Sequence, residues 1–486
     1  MSLIRSTTWS AVAAIVLTGG RFVVIMLLAR KLGVTAFGKF AFAQWLVDIV
    51  FLTLAFGLPG SASRFFAEFR TQYANLVAYE RWYVPRAIAV MAAVALASPM
   101  VALALNGTVG HNFALLQAGW AASTAAWALS MARAQGLQRF KRVAVSNFVF
   151  VVVALAGCAW LPDQGANVES AVLMLTIATT AAALVVWLPL PGSLVAHEPL
   201  TSKSDVSHRV LRTFGLNIWI TSLLGYIVWS RGEIVIVQAQ LDASDVAIYS
   251  IALSLTSIAT QGLMLLSGAL APHLTQIWGE GKQEVAVQQC CRITDMLTFT
   301  GGFLTIFFIA FSPELIQCTF GSSYTNSRTA LLILSIGVLG FTCAAANQLL
   351  QIKTNGVFSR NANITAAIML FTMAAPLVKI LGVEGAAISR VAIQISIGIA
   401  TVYFSRRLIA INSVNWMNQV KIFTIIAASA VYNINYQHTI QDRATVAIIC
   451  SALLIFWIRG NSKKLIFIDL VNQIAGALPK FITNKK

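Results

Sequence analysis

The chain has 486 residues, 58% of them hydrophobic and only 10% charged, with 34 Lys plus Arg against 17 Asp plus Glu and a mean hydropathy of +0.77. Soluble domains carry about 25% charged residues, so this composition excludes an ordinary soluble enzyme or binding module and predicts a polytopic membrane protein. The net charge of +17 sits mostly in short segments between apolar runs, which is a mark of membrane topology and argues against a nucleic-acid-binding face.

A spanning helix needs about 20 mainly apolar residues. Fourteen runs answer to that description. The first six lie near 9–29, 40–60, 84–105, 112–132, 143–161 and 169–188. The others lie near 214–237, 245–271, 293–315, 327–350, 361–380, 385–404, 417–433 and 444–458, the last two being short or polar-edged. With the N-terminus placed in the cytoplasm, 25 of the 34 lysines and arginines fall on the cytoplasmic side. Five (Arg30, Lys31, Lys39, Arg328, Arg443) fall on the other side, and four (Arg21, Arg231, Lys379, Arg390) fall inside runs. That asymmetry predicts cytoplasmic termini. The segment 463–478 mixes Leu, Ile and Phe with polar residues and reads as an interfacial amphipathic helix.

The chain also carries signs of duplication. Leu32-Gly33-Val34-Thr35-Ala36-Phe37 follows the first run, and Leu241-Asp242-Ala243-Ser244-Asp245-Val246 follows the seventh, 209 positions on. Gln135 and Asn147 have counterparts in Gln351 and Asn363. The polar, Pro-containing stretch 189–213 reads as a linker. The expected organisation is an N-terminal lobe over 1–200, a C-terminal lobe over 201–408, and an accessory pair of helices with a cytoplasmic tail over 409–486. Parallel repeats of this kind place the substrate path between them.

Arg21 and Arg231 lie near the middle of their runs. An arginine there costs about 2.5–3.5 kcal/mol on insertion scales and is kept where a cavity, a bundle interior or an anion compensates it. Two at comparable positions point to transport of something negatively charged. Arg390 is a secondary cavity candidate, whereas Lys379 is placed to snorkel to the interface. Asp48 and Glu233 are the acidic candidates, as counter-charges or ion-coupling sites; a structural pair between Arg21 and Asp48 is the alternative. Arg21 lies 11 residues before Leu32 and Arg231 lies 10 before Leu241, and one residue of slip turns a helix position by about 100°. No phosphate-binding Gly-rich loop ending in Lys-Ser/Thr is present, the histidines lack metal-ligand spacing, and the six cysteines read as small apolar side chains. No enzyme activity and no cofactor is expected.

Ala29-Arg30-Lys31-Leu32-Gly33, followed by Phe37-Gly38-Lys39-Phe40-Ala41, resembles the first-loop signature of the polysaccharide transporter branch of the multidrug/oligosaccharidyl-lipid/polysaccharide exporter superfamily. Gly57-Leu58-Pro59 with Ser63-Arg64-Phe65, and Leu381-Gly382-Val383-Glu384-Gly385-Ala386-Ala387-Ile388-Ser389, resemble two further segments of it. Within that branch the chain is similar to Wzx-type O-antigen flippases. The resemblance implies an all-α, MATE-like membrane fold of about 14 helices in two pseudo-symmetric six-helix lobes plus two accessory helices. It implies a multi-pass protein of a bacterial inner membrane that flips undecaprenyl-pyrophosphate-linked oligosaccharide, with the pyrophosphate meeting Arg21 and Arg231, and coupling to H+ or Na+ left open. Its partners would be the lipid-linked oligosaccharide, membrane lipids, and a polysaccharide polymerase with chain-length proteins; no nucleic acid is expected. A lipid II flippase, a cation-coupled multidrug exporter and a non-transport scaffold of a polysaccharide assembly complex are the competing functions.

Overall fold

The computed structural model describes residues 3–69, 72–106, 111–163, 165–187, 208–354, 356–409, 424–426, 428–429, 432 and 440–461. Among these the secondary structure is entirely helical. In chain order the α-helices are α1 (Leu3–Leu54), α2 (Leu58–Glu68), α3 (Tyr73–Asn106), α4 (His111–Gly136), α5 (Phe140–Trp160), α6 (Val168–Trp187), α7 (His208–Tyr226) and α8 (Glu233–Gln240). They continue as α9 (Ala243–Gly279), α10 (Gln283–Thr319), α11 (Ser327–Gly337), α12 (Ala344–Lys353), α13 (Val357–Leu381), α14 (Val383–Ile409) and α15 (Ile440–Asn461). Ten helices among the described residues are long and apolar enough to cross a membrane.

Each apolar run falls on helical structure except that near 417–433, most of which lies outside the described residues, as do the 463–478 segment and most of the 189–213 stretch. The run near 40–60 crosses from α1 into α2, and those near 214–237 and 327–350 are each divided between two α-helices, α7 with α8 and α11 with α12. The first run and most of the second form one long helix, α1, broken at Gly33, whose φ of 74° and ψ of 174° are not helical. A side chain there would be strained, so the glycine of the first-loop signature is what lets the chain turn. The helices outrun their apolar stretches: α9 and α10 each have 37 residues, because hydropathy marks the slab and not the helix end. α7 begins at His208, inside the stretch expected to link the halves, where Leu211 is buried. α2 was not foreseen; it is short and amphipathic, with Pro59 in its first turn, where the missing N–H costs nothing.

The chain forms two compact units: residues Met1–Ser250 with Thr319–Tyr324, and residues Ile251–Cys318 with Thr325–Lys486. In the first, α4 packs on α2, α3 and α6, and α5 on α1 and α6. α4 and α6, which pack together, both bury small residues: Ala121 and Ala125 on α4, and Ala171, Ala178 and Ala182 on α6. Small side chains let backbones approach where dispersion, rather than the hydrophobic effect, drives association. A Ser123–Thr179 hydrogen bond of 2.6 Å crosses the same interface. Gly38 of α1 meets the start of α9: a Cβ added there would sit 1.6 Å from the Ala243 carbonyl oxygen. Tyr324 donates to the Ala29 carbonyl at 2.7 Å.

In the second unit α14 packs on α11, α12 and α13. α15 joins through a cluster of Ala447, Cys450 and Leu454 with Ile306, Ile309, Ala310, Leu332 and Leu339. Arg443 of α15 grips Glu314 of α10 with both terminal nitrogens, at 3.1 and 2.5 Å. Glu314→Gln would leave a largely buried guanidinium without its charge partner. We expect a loss of about 2 kcal/mol, read as a lower unfolding midpoint of the purified protein in detergent and faster proteolysis in α15.

Candidate functional site

Arg21 lies on α1 twelve residues before the Gly33 break, about 18 Å along the axis at 1.5 Å per residue, so it sits near the middle of a 30 Å slab. It is nonetheless exposed. Its guanidinium carbon lies 5.4 Å from the Trp127 ring centroid and 5.6 Å from that of Phe150, within the range of a cation–π contact. The platform is fixed from behind. The two rings stack at 4.7 Å, the Trp127 indole N–H donates to Ser146 Oγ at 2.9 Å, and Ser146 donates to the Ala182 carbonyl at 2.8 Å. α4, α5 and α6 thereby set the plane on which Arg21 rests.

After the break, α1 presents Gln44 and Asp48 four residues apart, on one face. Arg231 Nη1 donates to Gln44 Oε1 at 3.4 Å, and the Tyr226 hydroxyl donates to Asp48 Oδ2 at 3.1 Å. In an unbroken α-helix, positions five apart such as Tyr226 and Arg231 would point about 140° away from each other. Here residues Ile227–Arg231 form a π turn. Its i→i+5 bonding spaces residues five apart by one turn, so both side chains reach the same face of α1. Single π turns inside α-helices occur frequently at functional sites.

The charges of Arg21 and Arg231 both act on Asp48, and they act against each other. Among the described residues Arg21 makes no hydrogen bond and no ion pair, so its five donors remain available to an anion. The first compact unit thus brings together Arg21, Asp48 and Arg231. Glu233 is fully buried in the first turn of α8 and is not among the groups acting on Asp48. Arg390 belongs to the second unit, where it is buried on α14 and lines a small recess with Thr256, Ser257, Thr260 and Gln394. Lys379 is exposed near the end of α13.

Gln44, Tyr226, Trp127 and Phe150 were missed by the sequence reading. Gln44 was findable, as a polar residue one turn from Asp48 in an apolar run; the ring platform and the π turn were not. Tyr226→Phe removes a hydrogen bond to a carboxylate, so we expect a stability loss of about 1–2 kcal/mol, measured as a lowered unfolding midpoint in detergent with the fold otherwise retained.

Membrane-length helices packed in this way define a polytopic membrane protein. The chain is similar to the structure of lipid II flippase MurJ in an inward closed conformation, at 12% identity and a TM-score of 0.63, over 93% of this chain and 99% of that one. It is similar as well to an inward-facing multidrug resistance MATE family transporter of the MOP superfamily, at 15% identity and a TM-score of 0.62, over 84% and 96%. At these identities the likeness shows the fold alone. The chain belongs to the family of polysaccharide biosynthesis proteins, which matches residues 3–278. A protein of Haloferax volcanii named as a probable low-salt glycan biosynthesis flippase is 24% identical over 395 residues, 80% of each chain.

Proposed function

We propose that the protein is a flippase for lipid-linked glycan precursors, moving undecaprenyl-pyrophosphate-linked oligosaccharide of the O-antigen or a related repeat from the cytoplasmic to the periplasmic leaflet of a bacterial inner membrane. The observation that carries the reading is Arg21: charged, mid-membrane, accessible, held over two rings and unpaired among the described residues. A pyrophosphate is the costly part of such a cargo, because a charge entering a low-dielectric slab needs a compensating partner. Guanidinium groups stay charged and hold phosphate oxygens in a bidentate way. Family membership and the name of the archaeal relative support the same class of cargo.

In this reading Arg21 and Arg231 receive the pyrophosphate, Arg390 is a secondary candidate within the second unit, and Asp48 and Glu233 serve as counter-charges or as sites for a coupling ion, H+ or Na+. Residues 1–200 rock against 201–408 in alternating access, and a polysaccharide polymerase with chain-length proteins takes up the product. The test is flipping of a fluorescent oligosaccharide-pyrophosphate-polyprenol in proteoliposomes, with lipid II and a cationic drug as parallel cargoes. Faster movement of the non-lipid-II oligosaccharide supports the reading. Preference for lipid II or for the drug replaces it with the corresponding exporter, and movement of none leaves the scaffold.

A further inference from the structure

A second cationic feature lies where α4 ends and α5 begins. α4 ends in a Schellman turn: Arg139 N–H bonds to Ala134 O at 2.8 Å and Gln138 N–H to Gln135 O at 2.9 Å. Gln138 holds the left-handed position usually given to glycine, at φ 55°. This turn sets Arg139 as the residue that precedes α5, and α5 begins with no side-chain cap. An arginine cannot cap a helix start, since it has donors and no acceptor. The first turn then adds Lys141 and Arg142. Burial, with Arg142 and Arg133 beside it, holds the Arg139 guanidinium below its ordinary pKa. The nearby acid, Glu80, forms a direct ion pair with Arg133. Like charges are crowded at the start of α5, the end of that helix whose dipole favours an anion.

The surface below this corner is apolar. The exposed residues of α5 are Lys141, Val145, Phe148, Val152, Ala156, Ala159 and Trp160. Their four- and three-residue spacing draws one stripe down the helix. It is about 28 Å long at 1.5 Å per residue, close to the hydrocarbon thickness of a bilayer. The opposite face, with Val143, Asn147, Phe150, Ala154 and Cys158, is buried, so the stripe is the free side of a membrane-spanning helix.

We propose that this corner is a seat for one anionic phospholipid, its phosphate held by Arg139, Lys141 and Arg142 and an acyl chain laid along the Lys141–Val145–Phe148–Val152 stripe of α5. Charge complementarity chooses an anionic head group, and the position of α5 at the start of a span chooses a lipid over a soluble phosphate. Arg21 is not part of this seat, so it stands or falls independently of the transported cargo.

The experiment is native mass spectrometry of the purified, delipidated full chain, titrated with phosphatidylglycerol and with phosphatidylcholine of identical acyl chains. We expect one phosphatidylglycerol to be retained at least about tenfold more strongly, since each basic group near a membrane surface contributes about fivefold. Lys141→Gln, at an exposed position, is expected to lower that retention about fivefold, and Arg139→Gln with Lys141→Gln and Arg142→Gln to abolish the preference. The control Arg406→Gln with Arg407→Gln, at the exposed end of α14, is expected to leave it intact. Equal retention of the two lipids, unchanged retention in Lys141→Gln, or an equal loss in the control overturns the proposal. So does displacement of the bound phosphatidylglycerol by equimolar polyprenyl pyrophosphate, which would make the corner a loading site for the cargo.

Discussion

Arg21→Gln is expected to slow flipping of a pyrophosphate-linked oligosaccharide by about a hundredfold, while the protein still inserts and purifies as a single species. Truncating one partner of a hydrogen-bonded charge pair costs about 2–5 kcal/mol, and each 1.4 kcal/mol is a factor of about ten. Glutamine keeps two of the donors but loses the charge, which is the part a pyrophosphate needs. Arg21→Lys divides the effect: it restores the charge and loses the planar fork that lies over Trp127 and Phe150, so an intermediate loss of about tenfold is expected. The measurement is initial flipping rate in proteoliposomes, corrected for insertion. A wild-type rate in Arg21→Gln would reduce the residue to an incidental charge. Structural pairing with Asp48 is the alternative role: Arg21 is the leading favourable charge acting on that carboxylate, although the hydrogen bond to it comes from Tyr226.

Gly38→Val is the largest expected effect on stability. The added Cβ would meet the Ala243 carbonyl oxygen at 1.6 Å and its carbon at 2.6 Å. Both are backbone atoms, so no side chain can rotate away and α1 must part from the start of α9. Overpacking ordinarily costs about 1–3 kcal/mol, and a rigid obstacle puts this substitution at or above the upper end. We expect aggregation or a much lowered unfolding midpoint by size-exclusion chromatography and thermal scanning in detergent. Gly19→Ala is the matched comparison, since a Cβ there meets nothing within 4 Å; it should behave as wild type.

Most of the fold was legible in the sequence because bilayer thickness imposes a length on every apolar run, and that length survives whatever the helices do beyond it. The breaks between runs were legible where glycine marks them, as at Gly33. α2 escaped because a helix of 11 residues is too short to register as a spanning run. The cluster around Asp48 was legible in part. The expense of a charge in hydrocarbon singles out Arg21, Arg231 and Asp48 from the sequence, but it singles out Glu233 and Arg390 as well, which are not among the groups acting on Asp48. Which faces they share depends on the π turn at Ile227–Arg231, and no residue type marks an i→i+5 turn. The one-residue difference between the spacings of Arg21 and Arg231 from their landmarks therefore could not be converted into a direction before the helix geometry was known. The ring platform was hidden for a different reason: Trp127 and Phe150 come from runs distant in sequence from Arg21, and aromatic residues in apolar runs are too common to point to a partner.

The short stretch Thr319–Tyr324 belongs with the first unit although its neighbours on both sides belong to the second. Through it Tyr324 bonds to Ala29, Phe320 meets Phe22 edge to face with ring centroids 6.0 Å apart, and the Thr319 carbonyl accepts from Arg30 at 2.7 Å. A ribosome that has made every residue up to Ser250 has therefore not finished the first unit. The helix carrying Arg21 gains these contacts only after α10 has been synthesised, so a fragment cut at Ser250 lacks part of its own wall. Half-molecules of this chain should be tested by co-expression, with the second half supplying the missing stretch, rather than one at a time.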